Sequence, residues 1–136
     1  FTTNSTDTVP YYLHKAQRAL AINAVKPEYR NKFAHAQYKI DARNAGTRKL
    51  TLVTLTEIDG ESSYTVHLNN KKIGEFVNPE TNEDYREAYF IIEEVTLEKD
   101  DVITVSSKAV TNKKIPENGG TAFARGRWRA LVLSKP

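Results

Sequence analysis

From residue 62 to 69 apolar and polar positions alternate. Tyr64, Val66 and Leu68 fall on one face, Ser63, Thr65, His67 and Asn69 on the other, which is the period-two pattern of a strand with one buried side. Similar extended segments recur and predict strands over 19–25, 37–42, 48–56, 62–68, 71–77, 89–97, 102–109 and 121–133. Turn-forming residues separate several of them, at Asn44-Ala45-Gly46, Asp59-Gly60, Asn69-Asn70, Asp100-Asp101 and Asn118-Gly119-Gly120. Within 48–56 the phase changes: Leu50 and Leu52 share one face, Val53 and Leu55 the next. That predicts either a bulge near Val53 or a strand buried on both faces. Short strands at this spacing, with no convincing amphipathic helix, predict an all-β single domain: an antiparallel β-sandwich or jelly roll over residues 11–136. The Ser/Thr-rich residues 1–10 read as a linker remnant or flexible arm.

A chain of 136 residues can bury a hydrophobic core without covalent staples. It has no cysteine, which removes disulfides, thiolate metal sites and cysteine nucleophiles. The net charge of +3 comes from 20 basic and 17 acidic residues. This mild excess suits an anionic partner but lacks the clustered basic stripe of a duplex nucleic-acid binder. No apolar run is long enough to span a membrane. The N-terminal residues lack signal-peptide regions, so the chain reads as a module of a larger protein that carries any targeting signal elsewhere. His14, His35 and His67 have no metal-ligand spacing, and no nucleotide-binding loop or nucleophile elbow is present.

Two constellations carry candidate chemistry. Glu57, Asp59 and Glu61 surround Asp59-Gly60, expected to form the type I′ tip of a hairpin. Like charges held together destabilise unless an arginine, a cation such as calcium, or sugar hydroxyls answer them. Paired carboxylates also occur in glycosidases, at about 5–5.5 Å in retaining enzymes. A shared solvated tip would not give the two carboxyls opposed environments, so an enzyme is not expected. The second constellation is Arg125, Arg127 and Arg129 around Trp128. With Trp128 facing inward beside Ala130 and Val132, Arg127 and Arg129 face outward as forks for carboxylate, sulfate or vicinal hydroxyls. Arg125 falls in the approach loop, and Tyr85 in a long polar connection over residues 78–88 that exceeds an ordinary turn.

Residues 49–133 resemble the carbohydrate-binding β-sandwich modules appended to secreted polysaccharide-degrading enzymes of marine bacteria. The resemblance rests on Leu52-Val53-Thr54-Leu55-Thr56-Glu57, Asp59-Gly60-Glu61-Ser62-Ser63-Tyr64, Val66-His67-Leu68-Asn69-Asn70-Lys71-Lys72-Ile73-Gly74, Ile115-Pro116-Glu117 and Gly126-Arg127-Trp128-Arg129. It implies a galactose-rich algal polymer such as agarose, porphyran or carrageenan as ligand. It also implies a covalently attached catalytic domain and a secreted or cell-surface location. Related modules hold a structural calcium through a Glu-Ala-Glu near the N-terminus. The comparable Lys15-Ala16-Gln17 lacks both carboxylates, which leaves Glu57, Asp59 and Glu61 as an alternative calcium host. Asn70 stands where the glycine of an Asn-Gly turn is expected, and asparagine tolerates the left-handed conformation.

The expectation is therefore a monomeric, non-catalytic polysaccharide-binding module without nucleic-acid or membrane partners. Glu57, Asp59 and Glu61 accept from sugar hydroxyls, Arg125 and Arg127 donate to hydroxyls or sulfate, and an aromatic packs on the ring, from Tyr85 or from Trp128 if exposed. Two alternatives stand beside it: a structural or adhesion domain whose acids and arginines answer one another, and a small polysaccharide hydrolase or lyase.

Overall fold

The computed structural model describes residues 9–136 and the backbone of Thr2–Thr3. Twelve strands are described: β1 Thr2–Thr3, β2 Tyr11–His14, β3 Ala19–Ile22, β4 Phe33–Lys39, β5 Gly46–Leu55, β6 Ser63–Leu68, β7 Lys71–Val77, β8 Glu87–Leu97, β9 Val102–Lys108, β10 Pro116–Glu117, β11 Gly120–Thr121 and β12 Trp128–Ser134. They form two five-stranded antiparallel sheets, ordered β1-β4-β9-β6-β7 and β2-β3-β12-β5-β8, and the small hairpin β10-β11. The arm expected over 1–10 falls in part outside the described residues. Its strand Thr2–Thr3 pairs with β4, and Val9 is buried in the core.

The inward faces of both sheets meet in a main core, with Ala36, Tyr64, Val66, Ile103 and Val105 from the first sheet and Leu50, Leu52, Val95, Leu97 and Trp128 from the second, and a smaller cluster gathers Val9, Ile22, Ala24, Ala34 and Ala109. Two facing sheets joined by an apolar layer make an all-β sandwich. Tyr64, the largest fully buried side chain, stays satisfied: its hydroxyl donates to Arg127 O at 2.6 Å and accepts from Asn78 Nδ2 at 3.2 Å.

Strand β5 is buried on both faces at its C-terminal half, where Leu52, Val53, Thr54 and Leu55 are all buried. It lies inside its sheet, between β12 and β8. One register shift lies at Arg48/Leu50 against β8, and a second, at Trp128/Ala130 in β12, lies opposite Thr54 and Val53, so the irregularity near Val53 belongs to the partner strand. That second shift corrects the expected facing of β12. Leu131 and Leu133, not Ala130 and Val132, pack with Trp128 against the core, and Val132 is exposed. The predicted strand over 121–133 is also broken, because 122–127 forms a loop between β11 and β12.

No hairpin pairs β5 with β6 at Asp59-Gly60; an isolated antiparallel bridge joins Glu57 to Gly60 around a turn at Ile58-Asp59. β5 and β6 belong to different sheets, and the link between them crosses the sandwich. Neither Asp59 nor Gly60 has positive φ, so the type I′ requirement does not arise. Gly60 is needed for close approach instead: a Cβ there would lie 2.4 Å from Val110 O and 3.0 Å from Ala124 Cβ. At the β6–β7 turn the left-handed residue is Asn69, with φ 54°, rather than Asn70.

Candidate functional site

At one end of the sandwich, beyond β5, the chain turns inward. Thr56 N–H donates to Arg86 O at 2.8 Å, and Tyr85 N–H to Thr56 O at 2.6 Å. These bonds tie the expected long loop to the β5–β6 link and bring Tyr85 over it. The loop, which connects β7 to β8 across the two sheets, is rooted by buried Asn78. Its side chain accepts from Thr54 Oγ1 at 2.6 Å and donates to Leu55 O at 3.0 Å.

Glu57 is not a solvated tip residue: it is 3% exposed. Its carboxylate accepts from the Arg127 guanidinium and from the backbone N–H of Arg125, at 3.1 Å to Oε2 and 3.3 Å to Oε1. Burial pushes the Glu57 carboxyl up to about 7 despite the pull of Arg127, with the Asp59 charge adding to the rise. Arg127, expected outward, is buried too. Its carbonyl is fixed by Leu55 N–H at 3.1 Å and by Tyr64 Oη. The preceding Gly126, at φ +55°, leaves no space for a side chain beside Ser107 and Ile22.

The Arg127 guanidinium gathers further groups. Nε donates to His14 Nδ1 at 3.0 Å, which makes Nδ1 an acceptor and leaves the His14 proton on Nε2. Burial, with the charges of Arg127 and Arg125, lowers the His14 pKa. The guanidinium also lies 5.0 Å from the centre of the Tyr85 ring, and the His14 and Tyr85 rings meet edge to face at 5.6 Å. Tyr85 holds φ 64°, a left-handed backbone that costs a bulky residue about 1–3 kcal/mol and persists where the surroundings impose it. Asp59 lies close enough to feel Asp84 and Arg127. Burial raises its carboxyl pKa, and Oδ1 is buried without a hydrogen-bond partner among the described residues.

The structure thus brings Glu57, Asp59, Tyr85, Arg125 and Arg127 together and separates Glu61 and Trp128 from their expected roles. Glu61 turns to Asn112, whose Nδ2 donates to it at 3.1 Å. Trp128 is 3% exposed, its indole donating to Tyr11 Oη at 3.3 Å, so it cannot offer a face to a sugar. Arg129 pairs with Glu87 and donates to Gln17 O. Of the acids in the first constellation, Glu57 alone forms an ion pair with an arginine among the described residues. The buried Glu57 also removes the shared solvated setting expected of the three carboxylates. Among the described residues no three His, Cys, Asp or Glu side chains converge as a metal-ligand group, and Lys15–Gln17 forms a 3-10 turn.

Sequence reasoning missed Tyr12 and His14, which reach the cluster from β2. Tyr12 Oη accepts from Arg125 Nη1 at 2.9 Å. Their same-face spacing in Tyr11-Tyr12-Leu13-His14 is a strand signal, obscured by the neighbouring alanines. It also missed a cavity of about 380 Å³ lined by Arg125 with Arg30, Glu117, Asn118, Thr121 and Phe123 among others.

No protein-family model matches the chain. Over 93 residues it is 29% identical to uncharacterized protein P23 of the marine bacterium Formosa agariphila. The match takes in 66% of this chain and 21% of that relative, so the chain spans about a fifth of the relative's length. No helix is long and apolar enough to cross a membrane among the described residues.

Proposed function

We propose that this domain is a non-catalytic carbohydrate-binding module that holds a parent enzyme on a polysaccharide, a galactose-rich algal polymer such as agarose, porphyran or carrageenan. The observation that carries the reading is the grouping of Tyr85, His14, Asp59 and Arg125 on a buried Glu57–Arg127 support. A partly exposed aromatic ring, the His14 Nε2 proton, the half-buried Asp59 carboxylate and a guanidinium make the set a polar ring needs: a packing surface, donors and an acceptor. Glu57 and Arg127 act beneath the site, as its support, rather than on the sugar. A relative several times longer than the matched segment agrees with a module carried in a larger protein. There, attachment raises the local polymer concentration and compensates a weak single site.

The test is affinity electrophoresis of the domain through gels containing agarose, porphyran, carrageenan, alginate or laminarin. Retardation by one polymer, lost in Asp59→Ala and Tyr85→Ala, supports the reading. Free migration through every gel overturns it in favour of a structural domain, the second reading, which the buried Glu57–Arg127 pair favours. Falling polymer viscosity during incubation would instead establish an enzyme.

A further inference from the structure

We infer that the cavity between Arg30 and Arg125 receives an anionic substituent of the bound sugar, a sulfate ester or a carboxylate. The inference rests on the carbohydrate reading and names the substrate class for a cavity that adjoins the Tyr85 cluster through Arg125. Both guanidiniums are held in place before any ligand arrives. Arg30 donates from Nε to Ala24 O at 2.8 Å and from Nη2 to Val25 O at 3.2 Å, and its guanidinium lies 4.8 Å from the centre of the Phe123 ring. Arg125 donates from Nη1 to Tyr12 Oη, and its backbone is fixed by Glu57. Groups fixed in this way lose little further freedom on binding.

Neither cation has a carboxylate partner among the described residues, whereas Arg43, Arg86, Arg127 and Arg129 each form an ion pair. Two arginines lining one cavity without a carboxylate partner suit the oxygens of a sulfate or carboxylate, which accept from guanidinium forks. Glu117 also lines the cavity but forms no ion pair with either arginine. Two positive groups against one negative leave the space net positive, and the spare carboxylate accepts from hydroxyls. That combination fits a sugar ring carrying an anion better than a bare ion. The volume of about 380 Å³ lies at the small end of ligand pockets, in keeping with one substituted ring.

The test titrates the isotope-labelled domain with galactose 6-sulfate, galacturonate, galactose and inorganic sulfate. The Nε–H signals of Arg30 and Arg125 and the amides of Gly120 and Thr121 are followed by NMR. A charged sugar should shift these signals at concentrations where galactose does not, and Arg30→Gln should weaken that binding about tenfold. Arg30→Lys, which keeps the charge but loses the fork, should recover part of it. Saturation at the lower concentration by galactose 6-sulfate assigns a sulfate ester, and by galacturonate a carboxylate. Equal response to galactose, equal affinity for inorganic sulfate, or an unchanged affinity in Arg30→Gln would each overturn the inference. The carbohydrate reading fails separately, by free migration of the wild-type domain through every polymer gel. Unaltered retardation by a neutral polymer in Arg30→Gln, with no response to charged sugars, keeps that reading and removes this one.

Discussion

Both carboxylate oxygens of Glu57 accept from the backbone N–H of Arg125, at 3.1 and 3.3 Å, so a buried acid of the β5–β6 link fixes the loop that carries the half-buried Arg125. Its second partner, the Arg127 guanidinium, extends the same support to His14 and Tyr85. The buried pair therefore organises the end of the sandwich. Truncating one partner strands the other charge, which costs about 3–5 kcal/mol. Glu57→Ala should show that loss in urea unfolding followed by circular dichroism.

Glu57 also sets a pH dependence. Its carboxyl titrates at about 7 in the folded protein against an ordinary 4.5, so the folded state binds the proton more tightly than the unfolded chain. The stability this contributes is fully present below about pH 4.5 and is lost as pH rises through 7. His14, whose pKa is lowered, acts in the opposite sense: its contribution is lost as pH falls. The difference between wild type and Glu57→Gln isolates the Glu57 contribution. Urea midpoints between pH 5 and 8 should fall more steeply with pH in wild type than in Glu57→Gln. Parallel profiles would show that the Arg127 charge holds the carboxyl near its ordinary range.

Tyr64 tests the link between core and site. Its hydroxyl is fully buried, donates to Arg127 O and accepts from Asn78, the root of the Tyr85 loop. Tyr64→Phe keeps the ring but removes one of the two bonds at Arg127 O, where Leu55 N–H remains, and one of the two at Asn78 Nδ2, which still donates to Leu55 O, for a loss of about 0.5–1.5 kcal/mol. Hydrogen exchange should quicken at the Asn78 and Tyr85 amides more than at Val105, on β9 of the first sheet.

Alternation alone located most of the larger strands. Lys71–Val77 has its predicted bounds, and Ser63–Leu68 begins one residue inside them. Periodicity reports which face is buried and says nothing about which sheet a strand joins. Asp59-Gly60 therefore read as a hairpin although the chain there crosses between sheets. The same blindness hid the fate of the charges. Glu57 and Arg127 look solvated in sequence because the groups that cover them come from distant segments, His14 from β2 and Tyr85 from the β7–β8 loop. One slipped residue at Trp128/Ala130 was enough to exchange Val132 for Leu131 and Leu133 in the core. A bulge of that kind leaves no mark in composition.

Gly60 separates the two accounts of its turn. A type I′ turn would tolerate asparagine in its place, whereas close approach tolerates no side chain at all. A Cβ added at Gly60, 2.4 Å from Val110 O, must displace backbone. Gly60→Ala and Gly60→Asn should both destabilise by at least about 1–3 kcal/mol, read from thermal unfolding. An Asn variant as stable as wild type would restore the hairpin turn.

Trp128 and the pair Tyr85 and Asp59 should separate stability from binding. Trp128 is buried against Tyr11 and the core, so Trp128→Ala should cost about 3–5 kcal/mol. Any binding it loses should return at temperatures where the variant is folded. Asp59 Oδ1 has no partner to lose, and removing a buried unsatisfied acceptor relieves its desolvation. Tyr85 gives up a left-handed backbone that suits alanine no better, but its ring contributes little core. Asp59→Ala and Tyr85→Ala should therefore unfold within about 1 kcal/mol of wild type while polymer retardation falls. Normal retardation in both would move the site away from this end of the sandwich. A parallel loss of stability and binding in both would make the cluster a structural support, the role already held by Glu57 and Arg127.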